Sequence, residues 1–497
     1  MKNSWLTTER FLLAFIIGMN LFRLSFVPIM GLMPQGAYYF VYSEHIDWSY
    51  YDHPPMVAYL LALFSGIFGK AAWVVKLMSW SMALGSQLLF YKLARLFMER
   101  KAALLALAIY TSTIMLSVLS LVVTPDVPLI FFWTLSLLVL YRAVFLDKKW
   151  AWIVGGVCMG LAFDSKYTAV FLPACLGVFL LLSSRHRYRL LTIWPWLAGI
   201  VMIITMLPVI YWNIVHDFAS FGFQGANRVE IIAEEGWKPT HILGSIANQS
   251  VVLIPVLFIT FITKLPMELY RRFRSIMADD KTLFVLSFFI PVFGAFMGLS
   301  FIYWVKLNWI MPAYVMGCIY AVRLLTGPWL KWQFILSVVL HLALGIQVWF
   351  YPVPIKSDDT WYGWERLAEE VEDISEDHNA FIFAGDHYKT TAQLAFYIDE
   401  KIYAHNVIGR HAVQYDIIDT SFTHLIGEDA IFVDSDPTMR SVPGQTRYPE
   451  ELDEHFTEVT ELDLIKIRKG ERVVRVFRVF LCEGYMGLLP EDKRELY

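Results

Sequence analysis

Residues 34–55 read PQGAYYFVYSEHIDWSYYDHPP, a polar and aromatic stretch set between apolar segments at 11–30 and 70–94 that are long enough to cross a bilayer. Glu44, Asp47, Asp52 and His53 are costly in hydrocarbon, so the stretch belongs in water or in a protein-lined cavity at the membrane face. It is therefore predicted to be an external loop and the first place to look for chemistry. Behind it, Pro55 to Gly69 is apolar but short, and reads as a helix lying along the outer interface.

With 57% hydrophobic, 16% aromatic and 17% charged residues, the chain has more apolar surface than one soluble core can hide. A polytopic α-helical membrane protein is the expected class. Cys158, Cys175 and Cys318 lie inside apolar runs and Cys482 stands alone, so neither a disulfide framework nor a cysteine metal site is indicated. The first apolar run is long and lacks an Ala-x-Ala-like end, which predicts a retained span instead of a signal peptide.

Further spans are predicted at 102–121, 127–146, 151–164, 166–183, 190–212, 246–264, 282–302, 309–327 and 332–351, about 11 crossings in all. Lysines and arginines gather at alternate junctions, among them Arg95, Arg100, Arg142, Lys148, Arg185, Arg271 and Arg323, and the positive-inside rule makes those junctions cytoplasmic. The remaining junctions carry residues 35–55, Thr124-Pro125-Asp126, Asp164 to Tyr167, Trp212 to His241, and Lys306 to Trp309. Every polar motif thus falls on the outer side. The expected organisation is a transmembrane unit over 1–351, with its first external loop at 31–69, and an extracytoplasmic α/β domain over 352–497. In the latter, alternating runs at 380–384, 430–433 and 472–479 read as strands, and 361–372 and 390–397 as helices.

Tyr38-Tyr39 followed by Tyr50-Tyr51-Asp52-His53-Pro54-Pro55 resembles the first external loop of bacterial membrane glycosyltransferases of the GT-C type. The likeness is to the family 39 and aminoarabinose transferase-like group, related to protein mannosyltransferases and similar to rhizobial lipopolysaccharide glycosyltransferases. It implies a GT-C-like helical unit, an enzyme of the cytoplasmic (inner) membrane with its site on the outer face, a polyprenyl-phosphate sugar donor, and an acceptor that is lipid A, another envelope glycan or a protein. No nucleic-acid partner is expected. In one place the chain departs from the family pattern: Gln35-Gly36-Ala37-Tyr38-Tyr39 stands where the family usually reads Asp-Glu-Ala-Tyr-Tyr, so the acid that usually acts as base is missing.

Such a transfer needs a base for the acceptor, donors or positive charge for the departing phosphate, and a wall that places the sugar. Asp126, in Thr124-Pro125-Asp126-Val127-Pro128-Leu129, has the plainer role of opening a helix, but the segment is similar to the family's second acidic motif, which implies a sugar-facing acid. Asp52 then becomes the substitute base. His53, Gln35, Tyr38 and Tyr39 complete the first loop's binding wall. Lys166 and Tyr167 close the Gly160 to Tyr167 segment; a lysine there either snorkels to the interface or neutralises a lipid phosphate, and the resemblance favours the second. Trp212, Asn213 and His216, with Gln224 and Arg228 downstream, resemble the family's Pro-x-x-x-Trp-Asn-x-x-His segment, against the plainer reading of an aromatic belt. Asn308-Trp309 is a weaker match of the same kind. His216 has no partner at metal-ligand spacing and direct displacement needs no nucleotide, so no cofactor is required, with a divalent metal left open. The alternative to an enzyme is a non-catalytic relative that binds a lipid-linked sugar or serves as a partner subunit, which Gln35 keeps in play.

Overall fold

Among the described residues, the regular elements up to Phe350 are helices, and a mixed sheet with flanking helices makes up the C-terminal part. The structure is a computed structural model and describes residues 8–226, 237–238, 240–385, 388–439 and 448–488. Every apolar run marked above is helical: α1 (Glu9–Phe26), α4 (Ala72–Phe97), α5 (Arg100–Thr111), α6 (Ile114–Leu121), α7 (Asp126–Phe145), α8 (Lys149–Phe163), α9 (Phe171–Leu182), α10 (Ile193–Thr205), α11 (Leu207–Val215), α12 (Thr240–Leu253), α13 (Pro255–Ala278), α14 (Asp280–Ser287), α15 (Ile290–Leu299), α16 (Met311–Leu324) and α17 (Pro328–Phe350). Several are short or broken. Among the described residues, three helical stretches are long and apolar enough to cross a membrane alone, Asp126–Phe145, Asp280–Leu299 and Pro328–Phe350, and six if each bent pair is one span.

The breaks have local causes. Between α12 and α13 the axis turns by 116°, at Ile254 (φ +68°) followed by Pro255. Between α5 and α6 it turns by 66°, and Arg23 of α1, fully buried, donates to the carbonyls of Thr111 and Thr113 at the break, at 2.6 and 3.3 Å. The same guanidinium donates to Ser117 Oγ at 2.9 Å, and Ser117 Oγ lies 2.7 Å from His341 Nε2 of α17. In an apolar bundle such carbonyls need a donor, and Arg23 ties three helices together by supplying it.

The first external loop differs from expectation. Residues 34–44 form a helix, α2 (Pro34–Glu44), with Pro34 in its first turn where the missing N–H costs nothing, and the loop proper begins at His45. Next comes α3 (Met56–Phe68), at the place predicted for an interfacial helix. Reading 34–55 as one loop overlooks that Tyr38 and Tyr42 share a helix face four residues apart.

After Phe350 come α18 (Trp364–His378), β1 (Phe381–Ala384), α19 (Lys389–Tyr397), β2 (Ile402–Ala404), β3 (Ala430–Ser435), β4 (Phe456–Glu461), β5 (Ile465–Lys469) and β6 (Arg472–Tyr485). The sheet runs β2-β1-β3-β6-β4, with β5 also on β6; β2, β1 and β3 are parallel and the pairings of β6 are antiparallel. All six residues of β3 are buried, as a central strand covered on both faces requires. Trp364, Leu367 and Val371 of α18 pack with Ile382, Val433 and Phe477 into one core.

This C-terminal unit docks on α2. Gln393 donates to the Leu32 carbonyl at 2.8 Å, and Gln414 receives the Tyr51 N–H at 2.7 Å. At Gly31 the Trp361 carbonyl oxygen lies where a β-carbon would stand, 2.1 Å away, so only glycine admits the contact. The loop after α2 is thereby held between the bundle and the sheet.

Candidate active site

Asp126 opens α7, where Pro125 sets the turn and a carboxylate suits the positive end of the helix. It is 1% exposed. Lys166 Nζ donates to its two oxygens at 2.8 and 2.9 Å, and Asn308 Nδ2 donates to Oδ2 at 2.5 Å. The lysine comes from the extended residue that follows α8, and it is buried, so it does not snorkel to the interface. Gly156 and Gly160 bring α8 close to α10: a β-carbon at Gly156 would stand 2.5 Å from the Ala198 carbonyl oxygen, and one at Gly160 2.4 Å from Thr205 Cβ. Gly160 therefore fixes where the α8 end, and with it Lys166, is presented.

Asp52 is half-buried in the loop before α3. The Tyr42 hydroxyl donates to its Oδ1, and the Gln224 side-chain amide donates to its backbone carbonyl. Burial pushes its carboxyl up to about 6, against the lowering effect of the Tyr42 and Tyr38 hydroxyls and of the Lys306 ammonium. Tyr42 stacks on Tyr50 at 4.1 Å and meets Tyr38 edge-on at 4.8 Å, while Tyr39 lies against His53 at 5.8 Å. Burial, reinforced by the charge of Asp52, raises the phenols of Tyr38, Tyr39 and Tyr42, so they stay protonated. The Tyr39 hydroxyl feels the charges of both Asp52 and Asp126. Segment 306–308 joins the two from the other side, Lys306 acting on Asp52 and Asn308 bonding to Asp126.

Other sequence-derived candidates make contacts of their own. Trp212 is buried and donates to Asp47 Oδ2 at 2.7 Å, pinning the first loop, whereas Tyr211 beside it is 60% exposed and fits the aromatic belt. His216 stacks on Trp212 at 4.0 Å, with Nδ1 at 2.9 Å from the Trp212 carbonyl. Asn213 donates to the Val209 carbonyl at 2.9 Å and accepts the Phe221 N–H at 3.0 Å, closing the turn after α11. Tyr167 meets Ser220 Oγ at 2.6 Å. Gln35 points elsewhere: its amide donates to Asp359 Oδ1 at 2.8 Å, and its buried Oε1 has no partner among the described residues. Arg228 lies outside the described residues.

Sequence reading misses Tyr42, hidden by the polarity of 34–44, and Asp164. The latter is 7% exposed, and its Oδ1 has no partner among the described residues. Among the described residues no three His, Cys, Asp or Glu side chains come together as a metal-binding group.

The fold, a helical bundle with a C-terminal sheet unit docked on α2, is that of solved GT-C structures. Over 94% of this chain and 97% of the other, the fold matches ArnT from Cupriavidus metallidurans bound to undecaprenyl phosphate, with a TM-score of 0.64 at 14% identity. Sequence likeness to proteins of this kind extends over part of the chain. Residues 52–212 match the family described as dolichyl-phosphate-mannose-protein mannosyltransferase. The lipid A galacturonosyltransferase RgtD of Rhizobium johnstonii is 26% identical over 323 residues, 64% of this chain and 66%, just under two thirds, of that protein. The oligosaccharyltransferase AglB of Archaeoglobus fulgidus, in complex with an inhibitory peptide and a dolichol-phosphate, shares the fold more loosely: TM-score 0.51 at 10% identity, covering 91% of this chain and 73% of that one.

Proposed function

We propose that this chain is an integral glycosyltransferase of the cytoplasmic membrane that moves a sugar from a polyprenyl-phosphate donor to a cell-envelope acceptor. Its site and its 352–497 domain face the extracytoplasmic side, as the distribution of basic residues argues. Of the acceptors considered, lipid A is favoured by the name of the curated relative, and a galacturonosyl unit is the sugar that name suggests.

What carries the reading is Asp52: a part-exposed carboxylate that accepts from the Tyr42 hydroxyl and is pushed by burial up to about 6, in the loop where the resemblance places donor-facing residues. A base of that strength is mostly ionised at neutral pH and still takes a proton readily. In the proposed reaction an acceptor hydroxyl gives its proton to Asp52 as its oxygen attacks the anomeric carbon. The bond from that carbon to the phosphate oxygen breaks, and its electron pair leaves with the lipid phosphate. Asp126 holds Lys166 and Asn308 in place, which keeps a cation and an amide fixed beside the reacting centre without reorganisation. Lipid A extracted from cells with and without the gene, compared by mass spectrometry, tests the proposal: loss of one glycosyl mass on deletion supports it, and an unchanged envelope glycan profile contradicts it.

The contact of Gln35 with Asp359 favours the second reading, a lipid-linked sugar binder, because it turns the residue at the usual acid's position toward the C-terminal domain. Transfer by the purified natural chain excludes that reading.

A further inference from the structure

Lys76, in the second turn of α4, is 2% exposed, and its ammonium makes no hydrogen bond or ion pair with any described residue. A buried lysine without a counter-charge is costly, and folded chains normally supply one. Here the side chain lines a cavity of about 660 Å³, a size typical of ligand pockets. One wall is made of helix ends from the bundle, with Ile29, Trp73 and Trp349; the other belongs to the C-terminal unit, with Trp361, Glu365 and Lys469. Trp73 and Trp349 are 42% and 55% exposed, as tryptophans at a membrane interface are. The remaining lysines have partners: Lys70 bonds the Ala395 carbonyl at 3.1 Å and lies 3.5 Å from Glu44, and Lys469 sits over the Tyr362 ring at 5.2 Å.

We infer that this cavity is a second site, which takes the phosphate headgroup of an anionic membrane lipid, with Lys76 as its counter-ion and the acyl chains lying along Trp73 and Trp349. It is separated from the Asp52 and Asp126 region by α2. On one face of that helix Phe40 packs on Phe396 of the cavity wall at 5.0 Å, and on another Tyr42 holds Asp52. The inference stands whether or not the chain transfers sugar.

The test uses the full chain in phosphatidylcholine nanodiscs, with dioleoylphosphatidylglycerol added and its retention read by native mass spectrometry. The natural chain and Lys76→Arg retain the anionic lipid; Lys76→Met, which removes the amine and keeps the bulk, weakens retention about tenfold or more. Lys76→Met that binds like the natural chain overturns the inference. A second measurement needs no variant: acylation of Lys76 by acetic anhydride is slowed about fivefold by the anionic lipid, as expected for an occupied amine. Equal acylation with and without the lipid also overturns it. Inorganic phosphate alone gives no such protection, and full protection by phosphate would overturn the lipid as the source of the anion.

Discussion

Lys166 holds both carboxylate oxygens of Asp126, at 2.8 and 2.9 Å, across 40 residues of chain, from the extended residue after α8 to the first turn of α7. Both side chains are buried, so breaking the pair from either end leaves an uncompensated charge. Asp126→Asn is expected to lower stability by about 3 kcal/mol. The double variant Asp126→Asn with Lys166→Met recovers most of that loss in thermal unfolding while transfer stays abolished. Recovery of activity along with stability would reduce the pair to a structural tie.

In the proposed mechanism the pH profile is set by Asp52. Its carboxyl, raised to about 6, has to be ionised to act as base, so kcat/KM rises with pH through about 6 and levels off above. Below that point it falls tenfold per unit. The Tyr42 hydroxyl bonds the ionised form and lowers this pKa, so Tyr42→Phe moves the acid limb to higher pH. The same shift has a stability sign: because the folded carboxyl binds its proton more tightly than an unfolded one, stability falls as pH rises from about 4 to 6.

Gln35→Asp sets a second carboxylate against Asp359, which the Gln35 amide now contacts at 2.8 Å. Thermal unfolding should show a loss of about 1 kcal/mol, restored when Asp359→Asn is added. Assaying the double variant separates a missing base from a disturbed domain contact. Activity that appears only with Asp at position 35 supports the binder reading.

Gly160→Val places carbon against Thr205 where α8 and α10 touch, and overpacking of this kind costs about 1–3 kcal/mol. Because the α8 end presents Lys166, transfer should fall further than the unfolding temperature alone explains. Gly177→Val, where an added β-carbon meets no other part of the chain within 4 Å, serves as the control and leaves both readings near the natural value.

The GT-C fold is legible because its spans are long apolar runs and because Tyr50 to Pro55 and Thr124 to Leu129 are short, ordered signatures. Asp126 and Lys166 both stand out in the sequence, but their pairing does not, since nothing local records a contact across 40 residues. Residues 34–44 read as loop when polarity is weighed above the four-residue spacing of Tyr38 and Tyr42, and Tyr42 is lost with them. β2, β4 and β5 escape notice: β2 has three residues, and β4 and β5 are short strands that present charged residues to solvent. Asn213 and His216 belong to a motif, yet their bonds close the turn after α11.

The central claim is that Asp52 takes the acceptor's proton during sugar transfer from a lipid phosphate. The most direct measurement tracks a radiolabelled sugar from polyprenyl phosphate to lipid A in proteoliposomes, comparing the natural chain with Asp52→Asn at equal donor binding. Transfer by the natural chain with a loss of about 100-fold or more in Asp52→Asn is the predicted result. Equal rates in the two proteins, or no transfer by the natural chain, would contradict it.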